Sequence, residues 1–426
     1  MTERLLMIGL TALVVGGVGV ILVGLLVRRA LPATALGGFQ RRGEMPGYFG
    51  AALSVLVRKR WLLYVPFAIT VLSYGMMSVP MLRHARTRQD VSAEERLPSR
   101  SVLGHARAVV RVVLHASRVQ FAGYAGVFGA SLPIGGAVLA LGVLVGERRL
   151  RRVTDQENLA RFGVVRVAAM AVLVSASVAV FLGVRGVEVR MGLWPWLLVA
   201  SLLTWLFGLF LLAVVQGCFL CTVRGLLQES STSVHDVWNG AVRALYPLVV
   251  FGVAWTVIVA VPDYTSMAIG QWGSLSGVSH RVLHLVSKAL AMWRRFVPSG
   301  LGVLFCCAPF FVVVNGERAM AALAATLRFI GEHTLKWAVM VAACVVVAAV
   351  PYLVGEVVGL WLPMHSWERF GLGFVTDSVR IVAVAVSAIA LFGFFLRYGA
   401  KKDDEGEHRS SGDECRVGSR TDGGGV

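Results

Sequence analysis

The sequence predicts an all-α polytopic membrane protein with about nine transmembrane helices and amphipathic helices lying in the membrane plane. Three observations carry that prediction. The chain of 426 residues is 57% hydrophobic and only 15% charged, whereas charged residues make up about a quarter of a soluble domain. Apolar runs without a charge recur along it, and several reach the ~20 residues that a helix needs to cross hydrocarbon. The 47 glycines are frequent inside those runs, where small residues let helices approach closely in lipid.

Taken in order, the spans fall at 5–27, 61–82, 121–145, 167–184, 193–223, 244–261, 301–314, 337–362 and 381–395, the seventh being short. The first is too long for the apolar core of a signal peptide, about 7 to 15 residues, and Arg28 and Arg29 follow it where a cleavage region is small and neutral. It reads as a retained anchor. In the third, Gly123, Gly126 and Gly129 have the spacing of a phosphate-binding loop. No strand-turn-helix frame surrounds them, so they read as helix-packing glycines.

Orientation follows from the basic residues, which favour cytoplasmic loops. With the N-terminus outside, the segments 28–60, 146–166, 224–243, 315–336 and the C-terminal segment from Arg397 face inward and hold 24 of the 41 lysines and arginines. The C-terminus is then cytoplasmic. The tail 399–426 is charged and rich in Gly and Ser, a composition that does not fold by itself.

Two stretches alternate basic and apolar residues at helical spacing, the mark of a helix resting on a membrane surface. In 101–121, Arg107, Arg111, His115 and Arg118 share one face. In 279–296, Arg281, His284, Lys288 and Arg295 share one face and Val282, Val286, Leu290 and Trp293 the other. After each comes an apolar span and then the same tripeptide, Gly146-Glu147-Arg148 and Gly316-Glu317-Arg318. An Arg-Phe pair follows each copy, Arg161-Phe162 and Arg328-Phe329. This order predicts two parallel repeats of four spans, 1–190 and 191–362, then a terminal span within 363–398, as in transporters whose halves are related by an axis along the membrane normal.

The segment 315–337 reads as an interfacial helix. Met320, Leu323, Leu327 and Ile330 form its apolar arc, Asn315 is its expected N-cap and Gly331 its expected stop. Further upstream, Ser233 and Asp236 are spaced as a capping box. Across 223–362 the chain resembles a bacterial integral-membrane family: the membrane domain attached to some glycerophosphodiester phosphodiesterases, with its uncharacterised stand-alone relatives. The matching residues are Pro309, Gly316, Ala322, Leu323, Thr326, Arg328 and Phe329, with Asn315 where that family has an acid. The resemblance implies no catalytic residues, and no stretch outside the membrane is long enough for the soluble phosphodiesterase domain.

Ionisable and amide side chains inside spans are the best pointers to function, because charge in hydrocarbon is costly unless paired or hydrated. These are Glu356, Gln216 and the pair Asp377 and Arg380, whose spacing allows an ion pair. Cys218-x-x-Cys221 and vicinal Cys306 and Cys307 lack the further ligands of a zinc site and read as buried thiols. No catalytic triad, HExxH or Walker sequence occurs, and no cofactor or metal is expected. Arg107, Arg111, Arg118, Arg281, Lys288 and Arg295 are candidate contacts to anionic head groups. They lack the interleaved aromatics of a nucleic-acid surface.

The resulting expectation is an inner-membrane protein without catalytic activity, an envelope or membrane-organising factor whose partners are lipids and a second membrane protein or copy of itself. A transporter with its path between the repeats is the alternative. A lipid-modifying enzyme ranks last.

Overall fold

The computed structural model describes residues 45–60, 62–64, 66–72, 74–75, 132–186, 194–228, 233–272, 280–359 and 367–399. Over these residues the chain is helical and contains no strand. The helices are α1 Met45–Arg58, α2 Leu62–Leu72, α3 Leu132–Val145, α4 Glu147–Arg152, α5 Leu159–Gly186, α6 Trp194–Leu227, α7 Val234–Arg243, α8 Leu245–Trp272, α9 His280–Leu304, α10 Ala308–Asn315, α11 Ala319–Gly359 and α12 Trp367–Tyr398. The predicted first span, the whole 101–121 surface helix, residues 76–82 of the second span, residues 121–131 of the third and the tail from residue 400 lie outside the described residues.

Among the described residues five stretches are long and apolar enough to cross a membrane: Gln156–Val178, Leu202–Leu227, Arg281–Asn315, Ala319–Gly355 and Phe370–Tyr398. The pair Val234–Arg243 and Leu245–Val259, bent by 53°, makes a sixth if it counts as one broken span. The outward faces agree with this. Val167 and Val174 on α5, Leu202 on α6, and Val346, Val350 and Val354 on α11 are all exposed. In water such continuous apolar surface would be a liability; in a bilayer it is the solvated face. The protein is a multi-pass membrane protein.

At the centre is α12. Ile381, Ala385, Ser387, Ile389, Leu391, Phe392 and Phe395 are all almost fully buried, as expected of a helix that is apolar all round. It packs on α11, which precedes it, and on α1 from the other end of the chain. Phe392 and Phe395 meet Phe310 of α10 at ring-centroid distances of 4.9 and 5.6 Å, and Phe394 meets Tyr48 of α1 at 6.0 Å. The helix starts at Trp367, fourteen residues before the expected span, because its first turns are held by protein contacts and not by hydrophobicity alone.

The region 279–359 differs from expectation in how its helices join. The basic surface helix does not end at Phe296 but runs through Pro298 to Leu304. The chain then breaks at 305–307, and α10 restarts with Pro309 in its first turn, where a missing N–H costs nothing. Asn315 closes α10 instead of capping the next helix. Gly316, at φ 68°, is the left-handed C-cap that a side chain would disfavour. Gly331 does not stop α11 either: the interfacial helix and the eighth span are one element, kinked at His333 (φ −126°, ψ 29°).

The buried side of that first part of α11 is also turned from the predicted arc. Met320 and Leu327 are exposed, whereas Ala322 and Thr326 are fully buried and Phe329 nearly so. In lipid, small residues make the helix contact and large apolar ones can face the acyl chains. Pro309, Gly316, Ala322, Thr326 and Phe329 therefore shape and pack the corner between α10 and α11.

The short amphipathic helix α7 is latched to the turn after α4. Asn239 Oδ1 accepts from Asp155 N–H at 3.0 Å and from Asn158 Nδ2 at 3.2 Å, while its Nδ2 donates to the Val153 carbonyl at 2.8 Å. Trp238 Nε1 donates to Thr154 Oγ1 at 2.8 Å, and His235 Nε2 lies 2.9 Å from Asp155 Oδ1. The expected capping box is formed: Ser233 Oγ accepts from Asp236 N–H, and Asp236 accepts from Ser233 N–H. Hydrogen bonds from the Ser233 hydroxyl and N–H hold the Asp236 carboxyl below its ordinary value of 3.8.

Asn239→Ala leaves two donors and a carbonyl unmatched and is expected to destabilise the protein by about 2–3 kcal/mol. A clear fall in Tm in detergent checks it; an unchanged Tm would show that the latch bears no stability. Since the folded-state Asp236 value is depressed, its stabilisation is present above the ordinary aspartate value and is lost as pH falls through the folded one. Amide exchange in the first turn of α7 should not respond to Asp236 between pH 7 and 5 and should rise on acidification below about 4, a step that Ser233→Ala shrinks.

Candidate functional site

Two of the sequence-predicted polar residues, Asp377 and Arg380, come together in the first half of α12. Arg380 Nε lies 3.4 Å from Asp377 Oδ1, one helical turn away, and their side chains are only 13% and 27% exposed, Arg380 the deeper. Taking two such charges out of water is expensive, and their attraction offsets that cost only where further hydrogen bonds satisfy the remaining atoms. Two tyrosines supply those bonds. Tyr74, just beyond α2, donates to Asp377 Oδ2 at 2.6 Å. Arg380 Nη1 donates to the hydroxyl of Tyr352 on α11 at 2.8 Å, and its guanidinium lies 5.5 Å from the centre of that ring.

The packing around this cluster explains how three elements reach it. Gly355 lies against Thr376, so that a Cβ there would fall 2.7 Å from the threonine methyl; the missing side chain lets α11 and α12 close together beside the ion pair. Tyr74 is wedged edge-on against Phe370 and Phe374, at centroid distances of 5.2 and 5.4 Å. These rings fix the tyrosine whose hydroxyl holds the carboxylate. Chemically, the site offers one anionic and one cationic group, each held by a phenol, inside the bundle.

Sequence reasoning found the charges but missed Tyr74 and Tyr352. A signal existed, because a tyrosine inside an apolar span must bring its hydroxyl to a partner. What the sequence does not say is that residue 74 returns to residue 377. The other candidates are dispersed. Gln216 is buried within α6. Arg281 and Lys288 are exposed on α9. Glu356 falls within the α11 backbone, but its side chain and that of Arg295 lie outside the described residues, as do Arg107, Arg111 and Arg118 altogether.

The five described cysteines behave as packing residues. Cys218 and Cys221 are free thiols on successive turns of α6, and Cys306 and Cys307 are free and buried at the break before α10. Cys344 and Ser387 tie α11 to α12: Cys344 Sγ donates to the Ser387 carbonyl at 3.5 Å and Ser387 Oγ to the Cys344 carbonyl at 3.1 Å. Among the described residues no three His, Cys, Asp or Glu side chains are grouped to hold a metal ion.

Fold and site together define a helical multi-pass membrane protein with a buried, tyrosine-bracketed ion pair. No protein-family model matches the chain, and no curated protein matches it.

Arg380→Met strands the Asp377 charge and is expected to cost about 3–5 kcal/mol, read as a large fall in Tm or in the yield of folded protein. The double variant Asp377→Asn with Arg380→Met should recover most of that loss. A double variant as unstable as the single one would mean that the charges matter for something other than pairing.

Proposed function

We propose that the protein is a non-catalytic component of a bacterial inner membrane, an envelope or membrane-organising factor that acts through lipid and partner contacts. The observation that carries this reading is α9. Its residues Arg281, His284 and Lys288 are exposed, and so are Val282, Leu285, Met292, Trp293 and Phe296. A helix with a basic side and a large uncovered apolar side suits the boundary between head groups and acyl chains. Trp293 anchors it to the bundle by donating to the Ile258 carbonyl of α8 at 3.3 Å.

The finer layout belongs to the same proposal: about nine spans, a cytoplasmic C-terminus and two units of similar plan. The α7 latch supports the orientation, because it joins the basic segments 146–166 and 224–243, which the reading puts on one side. The helix neighbours support the units. As α6 packs on α5 before it and on the short helix α7, so α12 packs on α11 before it and on the short helix α1. The segment 223–362 is then a divergent relative of the phosphodiesterase-linked membrane domain.

Transport is the second reading, and the Asp377–Arg380 pair is the observation that favours it, since intramembrane charge is the usual mark of a substrate or proton path. Proteoliposomes decide between the two. The protein is expected to drive no proton-coupled flux, and Glu356→Gln to behave as the parent. Uptake driven by a pH gradient that Glu356→Gln abolishes at normal expression would make the protein a transporter. For the lipid contact, Arg281→Ala with Lys288→Ala should lower the anionic lipid that co-purifies; unchanged lipid would remove the support that α9 lends.

A further inference from the structure

A second polar locus lies where the C-terminal ends of α6 and α10 converge with α7. It is a groove of about 600 Å3 lined by Arg224, Gln228, Asp236, Arg243, Asn315 and Glu317, with Val312, Val313, Val314 and Pro247 as its apolar wall. Two charges of each sign therefore share one cavity. Among the described residues neither guanidinium is in a salt bridge: Arg224 Nε donates only to Gln228 Oε1, at 3.2 Å, within its own helix end. Glu317 Oε2 is buried and, among the described residues, has no hydrogen-bond partner. Asp236, by contrast, is occupied by the capping box.

The electrostatics of the two halves differ. The final carbonyls of α6 and α10 point toward this end, and helix C-termini carry partial negative charge that favours a cation. Glu317 follows directly on the α10 C-cap and adds a full charge there. Arg224 and Arg243 supply the opposite field, in donor forks suited to a phosphate. A ligand that satisfies both must carry an anionic group and, a few bonds away, a cationic group with N–H donors for the Glu317 oxygen. The setting adds an apolar attachment, because Leu202–Leu227 ends at the groove and Val312–Val314 belong to the stretch Arg281–Asn315.

We propose that this groove binds the head group of an aminophospholipid, with the phosphate held by Arg224 and Arg243 and the primary ammonium by Glu317. The glycerol and first acyl carbons lie along Pro247 and Val312–Val314. This rests on the multi-pass membrane reading of the chain but not on α9, so the groove and the basic surface helix can fail separately.

The test uses the full chain in detergent micelles, with lipid binding read by native mass spectrometry. Short-chain phosphatidylethanolamine is compared with its N-trimethylated counterpart phosphatidylcholine, with phosphatidylglycerol and with soluble glycerophosphoethanolamine. One phosphatidylethanolamine should bind at least ten-fold more tightly than phosphatidylcholine, which lacks the N–H donors. Phosphatidylglycerol should bind more weakly, and the soluble head group should compete only at high concentration. Glu317→Gln should bring phosphatidylethanolamine down to the phosphatidylcholine level, and Arg224→Ala with Arg243→Ala should weaken both. Equal binding of phosphatidylethanolamine and phosphatidylcholine to the unaltered protein overturns the proposal, whether or not the variants fold. Preference for phosphatidylglycerol overturns it in favour of a purely anionic site, and tight binding of the soluble head group in favour of a water-borne ligand.

Discussion

Everything else in the bundle is arranged around the burial of the second half of α12, from Ile381 to Phe395. In lipid there is no hydrophobic drive to bring helices together, because acyl chains are as apolar as leucine; close packing and buried polar bonds must do it. The inner half of α12 meets that demand with alternating small and aromatic side chains. Ala385 and Ala388 admit neighbouring backbones, and Phe392, Phe394 and Phe395 fill the spaces between α1, α10 and α11. Each ring contributes on the order of 1 kcal/mol beyond its area where it meets another edge-on.

This centrality makes the ion pair affordable. A charge placed on a lipid-facing helix would drag head groups and water inward, whereas Asp377 and Arg380 sit on a helix that packs on neighbours from both halves of the sequence. Tyr74 approaches from just beyond α2 and Tyr352 from α11, so the pair is satisfied only when these segments are in register with α12. A misplaced α2 or α11 leaves a buried charge unpaired, which is the costly state. The cluster consequently discriminates the native arrangement from near alternatives more than it deepens it, a role for which polar groups in cores are best attested.

Several local features were legible because they depend on neighbours in sequence. The Ser233–Asp236 capping box and the helical basic pattern at 280–296 both follow from spacing along a few turns. Legibility failed where a helix had to choose between stopping and continuing. Gly331 is a good stop in isolation, but the chain passes through it and bends at His333 instead, where the ring packs on Phe329 and Tyr398 at 5.2 and 5.4 Å. Met320 and Leu327 make the obvious apolar arc of α11. Yet Ala322 and Thr326 face the protein, because in a membrane the apolar arc has two apolar environments to choose from.

By itself the sequence determined that the chain is helical, that it crosses a membrane repeatedly and that charge enters its spans at a handful of places. These follow from run length and periodicity, which are one-dimensional properties once every backbone group must be bonded within its own helix. Only the tertiary structure decided that the last helix is the central one, that Tyr74 and Tyr352 close on Asp377 and Arg380, and that Arg224, Arg243 and Glu317 share a groove. Those are pairings between helices of like composition, and in a uniformly apolar chain hydropathy cannot rank them. Side-chain shape and the need to satisfy a few buried polar atoms do.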